Sequence, residues 1–446
     1  MTALNQETAV QSANDLSSRG RYPAILYTKL DVAALLKLEV VALIVLQFFT
    51  NAGLMPSAIV YCLDVVNVLL LVLGLRKVSS GLSSYHGYAM LLVCYVLFAV
   101  VTGVGSLTSP LCIGWELLQQ LRIPLFIVLT LAYWTYEDVD EVLSFLFRLQ
   151  PLNFVFAFVE YFLLHLTDDS CGGLFGITAG SNMMLNIYLV VVCVFACSGF
   201  LGSEKRVSLP SLMLTLLSSF FIATLAEIKF FYFEAAIILV ISFLGGKKNF
   251  KALVLLGVFL AAFVVGLSAL ATYFPDSYEM LFDLDELEAY DSGENVATSG
   301  YGISRSAPIP QIDSLFFNTG DATDKLIGFG FGSATMSSIP QFCSPFYFAY
   351  GWLKYYYSPI AVIYLQNGYL GIFLYLAILM YPIGVALRRY SKISVRPWTL
   401  VFSLGAGAMI AINLFYNGSA RSYAAILWAV CLALPMICGK GALKYR

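Results

Sequence analysis

Charged side chains are scarce in this sequence. Asp, Glu, Lys and Arg together make up 12% of the 446 residues, whereas 60% of the residues are hydrophobic. Soluble domains carry roughly 25% charged residues, and a soluble protein of this length has too little interior to hide so much apolar surface. The net charge of −2 argues neither for nor against nucleic acid, and we expect no nucleic-acid partner. The composition predicts an all-α integral membrane protein.

Histidines and paired cysteines are also few. The chain has two histidines and nine cysteines, and no two cysteines have C-x-x-C spacing. No zinc spacing, acidic calcium loop or Ser-His-Asp arrangement is present, so we expect neither a metal site nor a cofactor. Cys112, Cys171 and Cys343 fall in segments predicted to lie outside the membrane, where a disulfide between two of them is one open alternative and free thiols are the other.

Long apolar runs dominate the rest of the chain. A helix needs about 20 apolar residues to cross the hydrocarbon core, and the sequence predicts twelve such spans. They are 38–54, 57–75, 87–107, 114–134, 146–166, 183–201, 209–226, 230–244, 252–274, 358–387, 398–414 and 422–438. This gives an N-terminal tail over 1–30, spans one to nine within 31–274, a large loop over 275–357, spans ten to twelve within 358–438, and a C-terminal tail over 439–446.

The distribution of basic residues predicts the orientation. Connections on the cytoplasmic side of a membrane carry an excess of Lys and Arg. With both ends inside, most basic residues of the tails and connections fall on the cytoplasmic side, namely Arg19, Arg21, Lys29, Arg76, Lys77, Arg148, Lys205, Arg206, Lys247, Lys248, Lys251, Arg388, Arg389, Lys392, Arg396, Lys440, Lys444 and Arg446. The other side carries few, and the large loop there has a net charge of about −8. A long loop in a compact bundle commonly carries function, and the spacing of Met280, Leu281, Leu284 and Leu287 predicts short amphipathic helices within it.

Charged groups at membrane depth mark candidate functional sites, because their burial is costly. Arg122 lies inside the fourth span with Glu116 nearby; it requires an anionic partner or contact with water, since it stays protonated. Glu227 and Lys229 form a short hairpin between spans seven and eight, where a cation could hold a phosphate.

Two further groups of candidates flank the outer connections. Glu160 and His165 precede the glycine-rich stretch DDSCGGLFGITAGSN, in which backbone could approach a ligand. Arg305 is nearly alone as a cation in the acidic loop. Near the start of span ten, Tyr355 and Tyr357 suit either an interfacial belt or stacking against sugars, and Gln366 with Asn367 adds polar groups.

The order of these motifs resembles bacterial O-antigen polymerases, O-antigen ligases and related exopolysaccharide polymerases. The shared features are the glycine stretch GGLFGITAGSN, the basic residue Lys229 in AEIK, Arg305 in the large loop, the GFGFG turn from Gly328 to Gly332 and the span opening NGYLGIF. The resemblance covers residues 114–387. The ligases carry a histidine late in the loop, where this chain reads KYYYSPIAVIYLQ, and this difference favours a polymerase.

The resemblance implies a glycosyltransferase at the periplasmic face of the bacterial inner membrane. Such proteins join oligosaccharide units carried on undecaprenyl diphosphate, without a metal or a nucleotide sugar. The implied donor and acceptor are both lipid-linked oligosaccharides in contact with membrane lipid, and a chain-length regulator and a flippase are candidate partners.

These implications assign roles to particular residues. We expect Arg122, Lys229 and Arg305 to converge on the donor diphosphate, because cations stabilise this leaving group. Glu160 or Glu227 would accept the proton of the acceptor hydroxyl, with Arg305 counted among the catalytic groups. Tyr355, Tyr357 and Gln366 would contact the sugars.

Three other functions stay open at this point. They are an O-antigen ligase, a transporter (flippase) of lipid-linked oligosaccharides, and a sensor or scaffold without catalysis. Transporters commonly contain discontinuous helices in both halves, and the sequence shows no obvious matching pair of Gly/Pro-broken spans.

Overall fold

The fold is built from α-helices. The computed structural model describes residues 31–202, 206–246, 250–283, 302–304, 307–318, 322–390, 397–416 and 418–443, and these contain no β-strand. In chain order the helices are α1 (Val32–Asn51), α2 (Tyr61–Leu73), α3 (Leu75–Leu82), α4 (His86–Gly105), α5 (Pro110–Tyr133), α6 (Tyr136–Arg148), α7 (Gln150–Phe162), α8 (Ser181–Leu201), α9 (Leu209–Leu225), α10 (Lys229–Gly245), α11 (Phe250–Tyr273), α12 (Pro275–Phe282), α13 (Pro308–Ile312), α14 (Ala322–Ile327), α15 (Pro345–Tyr350), α16 (Pro359–Tyr390), α17 (Pro397–Tyr416) and α18 (Ala425–Leu443).

The protein is an all-α membrane protein. In the described part of the chain, seven helical stretches are long and apolar enough to cross a membrane, and one of them joins α6 to α7. The 3-10 turn Ser57–Val60 and α2 form one apolar helical stretch, which together with α3 is also long and apolar enough but is bent between the two parts. Helices α9, α17 and α18 contain shorter apolar stretches. The twelve-span count stays a prediction.

Helix α8 forms the centre of the bundle. It is buried along nearly its whole length and packs against α9, α10, α17 and α18. A helix that is apolar on every face belongs in such a position, because no face of it requires water. The peripheral helices α1, α4 and α11 instead expose large apolar side chains on one face, as expected for helices that contact lipid.

Helix α6 differs from its neighbours because it has an acidic face and an apolar face. It begins with a capping box in which Thr135 and Asp138 satisfy each other's backbone N–H groups, as such pairs do at helix N-termini. Its apolar residues Val139, Val142 and Leu143 are buried. The predicted fifth span, 146–166, therefore lies mainly in α7, and Pro151 in the first turn of α7 marks the start of that helix.

Two spans are interrupted. The axis bends by 82° between Leu73 and Leu75, at Gly74. Helix α16 is broken at Gly368, whose φ of 57° and ψ of −160° are not helical. The bend at Gly74 falls at the end of the predicted span 57–75, whereas the break at Gly368 falls inside the predicted span 358–387.

Cys112, Cys171 and Cys343 are free thiols, so the structure favours the second of the two alternatives for them. Burial raises the pKa of the Cys171 thiol above its usual value, and its Sγ lies 3.4 Å from a carboxylate oxygen of Glu160. This environment holds Cys171 in the neutral form.

Candidate functional site

Arg122 and Asp64 form a buried ion pair at the centre of the candidate site. The Nε and Nη2 atoms of Arg122 donate to the two carboxylate oxygens of Asp64 at 2.9 and 2.8 Å, and both side chains are about 95% buried. The Tyr423 hydroxyl donates to the same carboxylate at 3.0 Å, and its ring lies 3.8 Å from the guanidinium carbon. This bidentate geometry is the strong form of an Arg–carboxylate contact. The anionic partner that Arg122 requires is therefore Asp64, and not Glu116 of its own helix.

A second arginine lies beside the first. Arg421, between α17 and α18, donates from Nη2 to both oxygens of Glu116 at 2.8 and 3.0 Å and to Gln119 at 2.6 Å. Its backbone carbonyl accepts a hydrogen bond of 2.6 Å from Nη1 of Arg122. We call Asp64, Glu116, Arg122, Arg421 and Tyr423 the arginine network. Its two cations and two carboxylates balance in charge, as burial demands.

A layer of amide and hydroxyl groups extends from this network. Gln120 donates to Glu116 at 2.7 Å and to the side-chain oxygen of Gln366 at 3.4 Å, and it accepts from the Tyr95 hydroxyl. The same Gln366 oxygen accepts from the backbone N–H of Gly332 at 3.1 Å. Gln366 is fully buried, so it joins the arginine network to the large loop and is not open to a sugar in this structure.

The glycine turn Gly328–Gly332 fills the break in α16. The N–H of Phe329 donates to the Leu365 carbonyl at 2.8 Å, which replaces a hydrogen bond that the interrupted helix cannot make. A Cβ on Gly328 would lie 2.6 Å from the Asn367 backbone nitrogen, and a Cβ on Gly332 would lie 2.9 Å from the Ile113 nitrogen. Backbone meets backbone at both points, and both glycines have positive φ. Only glycine permits this approach. These contacts dock the turn on α16 and on α5.

Glu160 holds the other glycine-rich segment. One of its carboxylate oxygens accepts from the N–H groups of Gly172 and Gly173 at 3.0 and 2.7 Å, and the side chain is 2% exposed. The Asn153 side chain accepts from the Leu174 N–H at 3.1 Å. In this structure Glu160 fastens a loop to α7, whereas a general base must reach a substrate proton. The predicted catalytic role stays a prediction.

The hairpin between α9 and α10 contains Glu227 and Lys229. Glu227 has a φ of 49° and accepts a hydrogen bond of 3.0 Å from Ser277 of α12, so its carboxylate contacts the start of the large loop. Lys229 is half-buried and begins α10.

The remaining predicted residues have different environments. Arg305 lies outside the described residues, so its predicted meeting with Arg122 and Lys229 stays a prediction. Tyr355 is buried, donates to the Ala334 carbonyl at 3.0 Å, and has its pKa raised by burial. Tyr357 is 46% exposed and, of these two tyrosines, it is the one whose ring has surface free for stacking.

Sequence reasoning missed three members of the arginine network. Asp64 is an acid inside an apolar span, a signal that could have been found by the same argument that selected Arg122. Arg421 gave no such signal because it lies in the predicted outer connection 415–421, and Tyr423 gave none because it is uncharged. Among the described residues, no three His, Cys, Asp or Glu side chains are placed to hold a metal ion.

Comparison with known proteins does not assign a family. No protein-family model matches the chain, and no curated protein matches it.

Proposed function

We propose that this chain is an inner-membrane glycosyltransferase that polymerises oligosaccharide units carried on undecaprenyl diphosphate. The proposed reaction takes place at the periplasmic face and transfers the growing chain from its lipid diphosphate to a sugar hydroxyl on the acceptor. An O-antigen ligase is the alternative within the same superfamily.

One observation carries this proposal: the late loop, the broken helix α16 and the buried arginines form one connected polar unit. Gln366 bonds to Gly332 of the loop and to Gln120 of α5, and Gln120 bonds to Glu116 of the arginine network. Because hydrogen bonds hold the loop against the buried cations, the loop can keep a ligand in a fixed position beside them.

The diphosphate leaving group requires positive charge at the site of bond cleavage. Arg421 is the more exposed of the two network arginines, with 12% of its side chain accessible against 4% for Arg122. A phosphate can replace a carboxylate as the partner of a guanidinium. We therefore assign the exchangeable contact to Arg421 and a positioning role to Arg122, with Arg305 and Lys229 as the proposed additional cations.

A second function, transport of the lipid-linked oligosaccharide, is favoured by the interrupted spans at Gly74 and Gly368. Discontinuous helices in both halves are typical of secondary transporters. Here the break in α16 is filled by the Phe329 N–H, an arrangement that also suits a fixed scaffold.

One assay separates the two functions. Purified protein in liposomes is given a synthetic lipid-diphosphate oligosaccharide, with and without a lipid A acceptor, and both new glycosidic bonds and movement across the bilayer are measured. Polymer without net movement is the expected result. Movement without new bonds identifies a transporter, and transfer of a single chain to lipid A acceptor identifies a ligase.

Arg305→Glu tests the cation assignment in cells. We expect long-chain polymer to be lost while the amount of protein in the membrane stays unchanged. The control is Lys325→Glu in the same loop, a charge reversal at a lysine that is 38% exposed and paired with Asp313. Normal polymer length from Arg305→Glu contradicts the assignment.

A further inference from the structure

Glu39 of α1 and Asn67 of α2 form a buried pair with two matching unsatisfied atoms. Asn67 Nδ2 donates to Glu39 Oε1 at 2.6 Å. The other oxygen of each group, Oε2 of Glu39 and Oδ1 of Asn67, has no hydrogen-bond partner among the described residues. Both side chains are at least 96% buried. Each residue therefore leaves one buried oxygen without a donor.

The same pattern recurs between α10 and α17. Asn413 Nδ2 donates to Glu234 Oε1, and Glu234 Oε2 and Asn413 Oδ1 both lack a partner among the described residues. Both residues are fully buried. Asn186 of α8 is also buried, and neither of its amide atoms has a hydrogen-bond partner among the described residues.

An ionised carboxylate cannot satisfy these pairs. A carboxylate and an amide oxygen only accept hydrogen bonds, whereas a protonated carboxyl group carries one O–H donor. A proton on Oε2 would supply an O–H donor that the partnerless amide oxygen of the paired asparagine can accept. A buried polar atom without a hydrogen bond is unfavourable, so a single proton shared between the two oxygens relieves both deficits in each pair.

The charges around the two carboxyl groups also favour their protonated form. The charged groups that act on Glu39 are Asp64 of α2 and Arg122 of α5, and Asp64 already occupies two donors of the Arg122 guanidinium. An ionised Glu39 would therefore add a negative charge to a balanced network. The described hydrogen-bond partner of the Glu234 carboxyl group is the Asn413 amide, which leaves its charge without a counter-ion. Uncompensated buried charge is strongly unfavourable.

We propose that Glu39 and Glu234 are two proton-binding sites inside the bundle, each occupied at neutral pH as a neutral carboxylic acid paired with an asparagine. Each pair joins two helices, α1 to α2 and α10 to α17. Loss of the proton leaves a carboxylate against an amide oxygen across the helix interface, so proton release and helix separation are coupled. This inference does not depend on the proposed polymerase activity.

Infrared spectroscopy of the purified full chain at pH 7 tests the proposal, because protonated carboxyl groups absorb apart from carboxylates and amides. We expect a protonated-carboxyl band that shifts in D2O. Glu39→Gln and Glu234→Gln should each remove the intensity of one carboxyl group, and the double variant should remove the sum. Asp138→Asn, which removes a carboxylate paired with Lys37, should leave the band unchanged. A band of equal intensity in wild type and in both Gln variants overturns the proposal, as does the absence of any band in wild type.

Thermal unfolding gives an independent readout. Gln has the shape of the protonated acid and can donate to the asparagine oxygen, so Glu39→Gln and Glu234→Gln should keep the wild-type Tm, whereas Glu39→Ala should lower it. If the Gln variants lose as much Tm as the Ala variant, the carboxyl groups are ionised and the proposal fails.

Discussion

At the scale of single residues, the charges of the arginine network compensate one another, so substituting one charged member alone is expected to destabilise the fold. Removing one partner of a buried ion pair costs roughly 3–5 kcal/mol, mainly because the other charge stays buried and uncompensated. Removing both partners can be nearly neutral. The stability of variants therefore reports whether Arg122 and Asp64 act as a pair.

We expect Arg122→Gln to lower the Tm in detergent more than the double variant Asp64→Asn with Arg122→Gln. The single variant leaves the Asp64 carboxylate buried without its guanidinium, whereas the double variant leaves two neutral amides. Thermal unfolding of the wild type, both single variants and the double variant completes the cycle. Additive losses across the cycle would show that the two groups do not interact.

Substitution of Glu160 tests whether this residue has a structural role or acts as the general base. If it only fastens the glycine loop, Glu160→Gln weakens the hydrogen bonds that its carboxyl group accepts from Gly172 and Gly173, each worth roughly 0.5–1.5 kcal/mol, and the Tm should fall. Glu141→Gln, at a carboxylate that is 70% exposed, serves as the control and should leave the Tm unchanged. An unchanged Tm for Glu160→Gln together with complete loss of polymer would instead identify Glu160 as the general base.

At the scale of elements, the turn Gly328–Gly332 and the break at Gly368 depend on each other. A Cβ on Gly368 would lie 2.5 Å from the Leu326 carbonyl oxygen, and its φ of 57° disfavours any side chain. The sequence alone identifies the turn, because five residues with three glycines cannot continue a helix. The length of the predicted span 358–387 allows a tilted or broken helix, but the sequence does not place the break at Gly368, because an isolated glycine in an apolar span is common. Only the approach of another backbone shows why the helix is interrupted there.

We expect Gly368→Ala to reduce the yield of folded protein sharply, because a methyl group there meets backbone atoms that cannot rotate away. Gly384→Ala, in the same helix, is the matched control, since a Cβ at Gly384 meets no atom within 4 Å. Size-exclusion chromatography in detergent measures both. A monodisperse Gly368→Ala protein with wild-type Tm would show that α16 can straighten.

At the scale of the whole molecule, the polar contacts between helix ends lie at either the predicted cytoplasmic side or the predicted outer side of the bundle. Lys37, near the start of α1, pairs with Asp138 of α6, whereas Asn51, at the end of α1, donates to the Phe175 carbonyl. Asn182, near the start of α8, likewise donates to the Ala226 carbonyl at the end of α9. The first contact belongs to the predicted cytoplasmic side and the other two to the predicted outer side.

The membrane character and much of the order of helices could be predicted from composition and apolar runs, because each span is a local property of about 20 residues. The partners in the site could not. Asp64 and Arg122 lie 58 positions apart, and Arg122 and Arg421 lie 299 apart. Such pairs form only when the helices pack, and neither residue's local sequence specifies which helix becomes its neighbour.

The count of twelve spans depends on short helices. Helices α9 and α10 have 17 residues each, and at 1.5 Å per residue each is about 25 Å long, less than the hydrocarbon core of about 30 Å. Both contact the central helix α8, and protein neighbours can satisfy their end groups at membrane depth. If both helices cross, the hairpin at Glu227 reaches the outer face. If neither crosses, it remains on the cytoplasmic side.

We therefore expect Glu227→Cys to react in intact spheroplasts with a maleimide that cannot cross membranes, in a background where the native cysteines are replaced. A cysteine at Gly246, just after α10, should react only after the membrane is made permeable, because the twelve-span topology places it in the cytoplasm. A cysteine at Asp283, after α12, should react from outside and confirms that the large loop is labelled. Reaction of Gly246→Cys in intact cells, or protection of Glu227→Cys until the membrane is opened, would reduce the number of crossings and would place the hairpin carrying Lys229 on the wrong side for a periplasmic diphosphate.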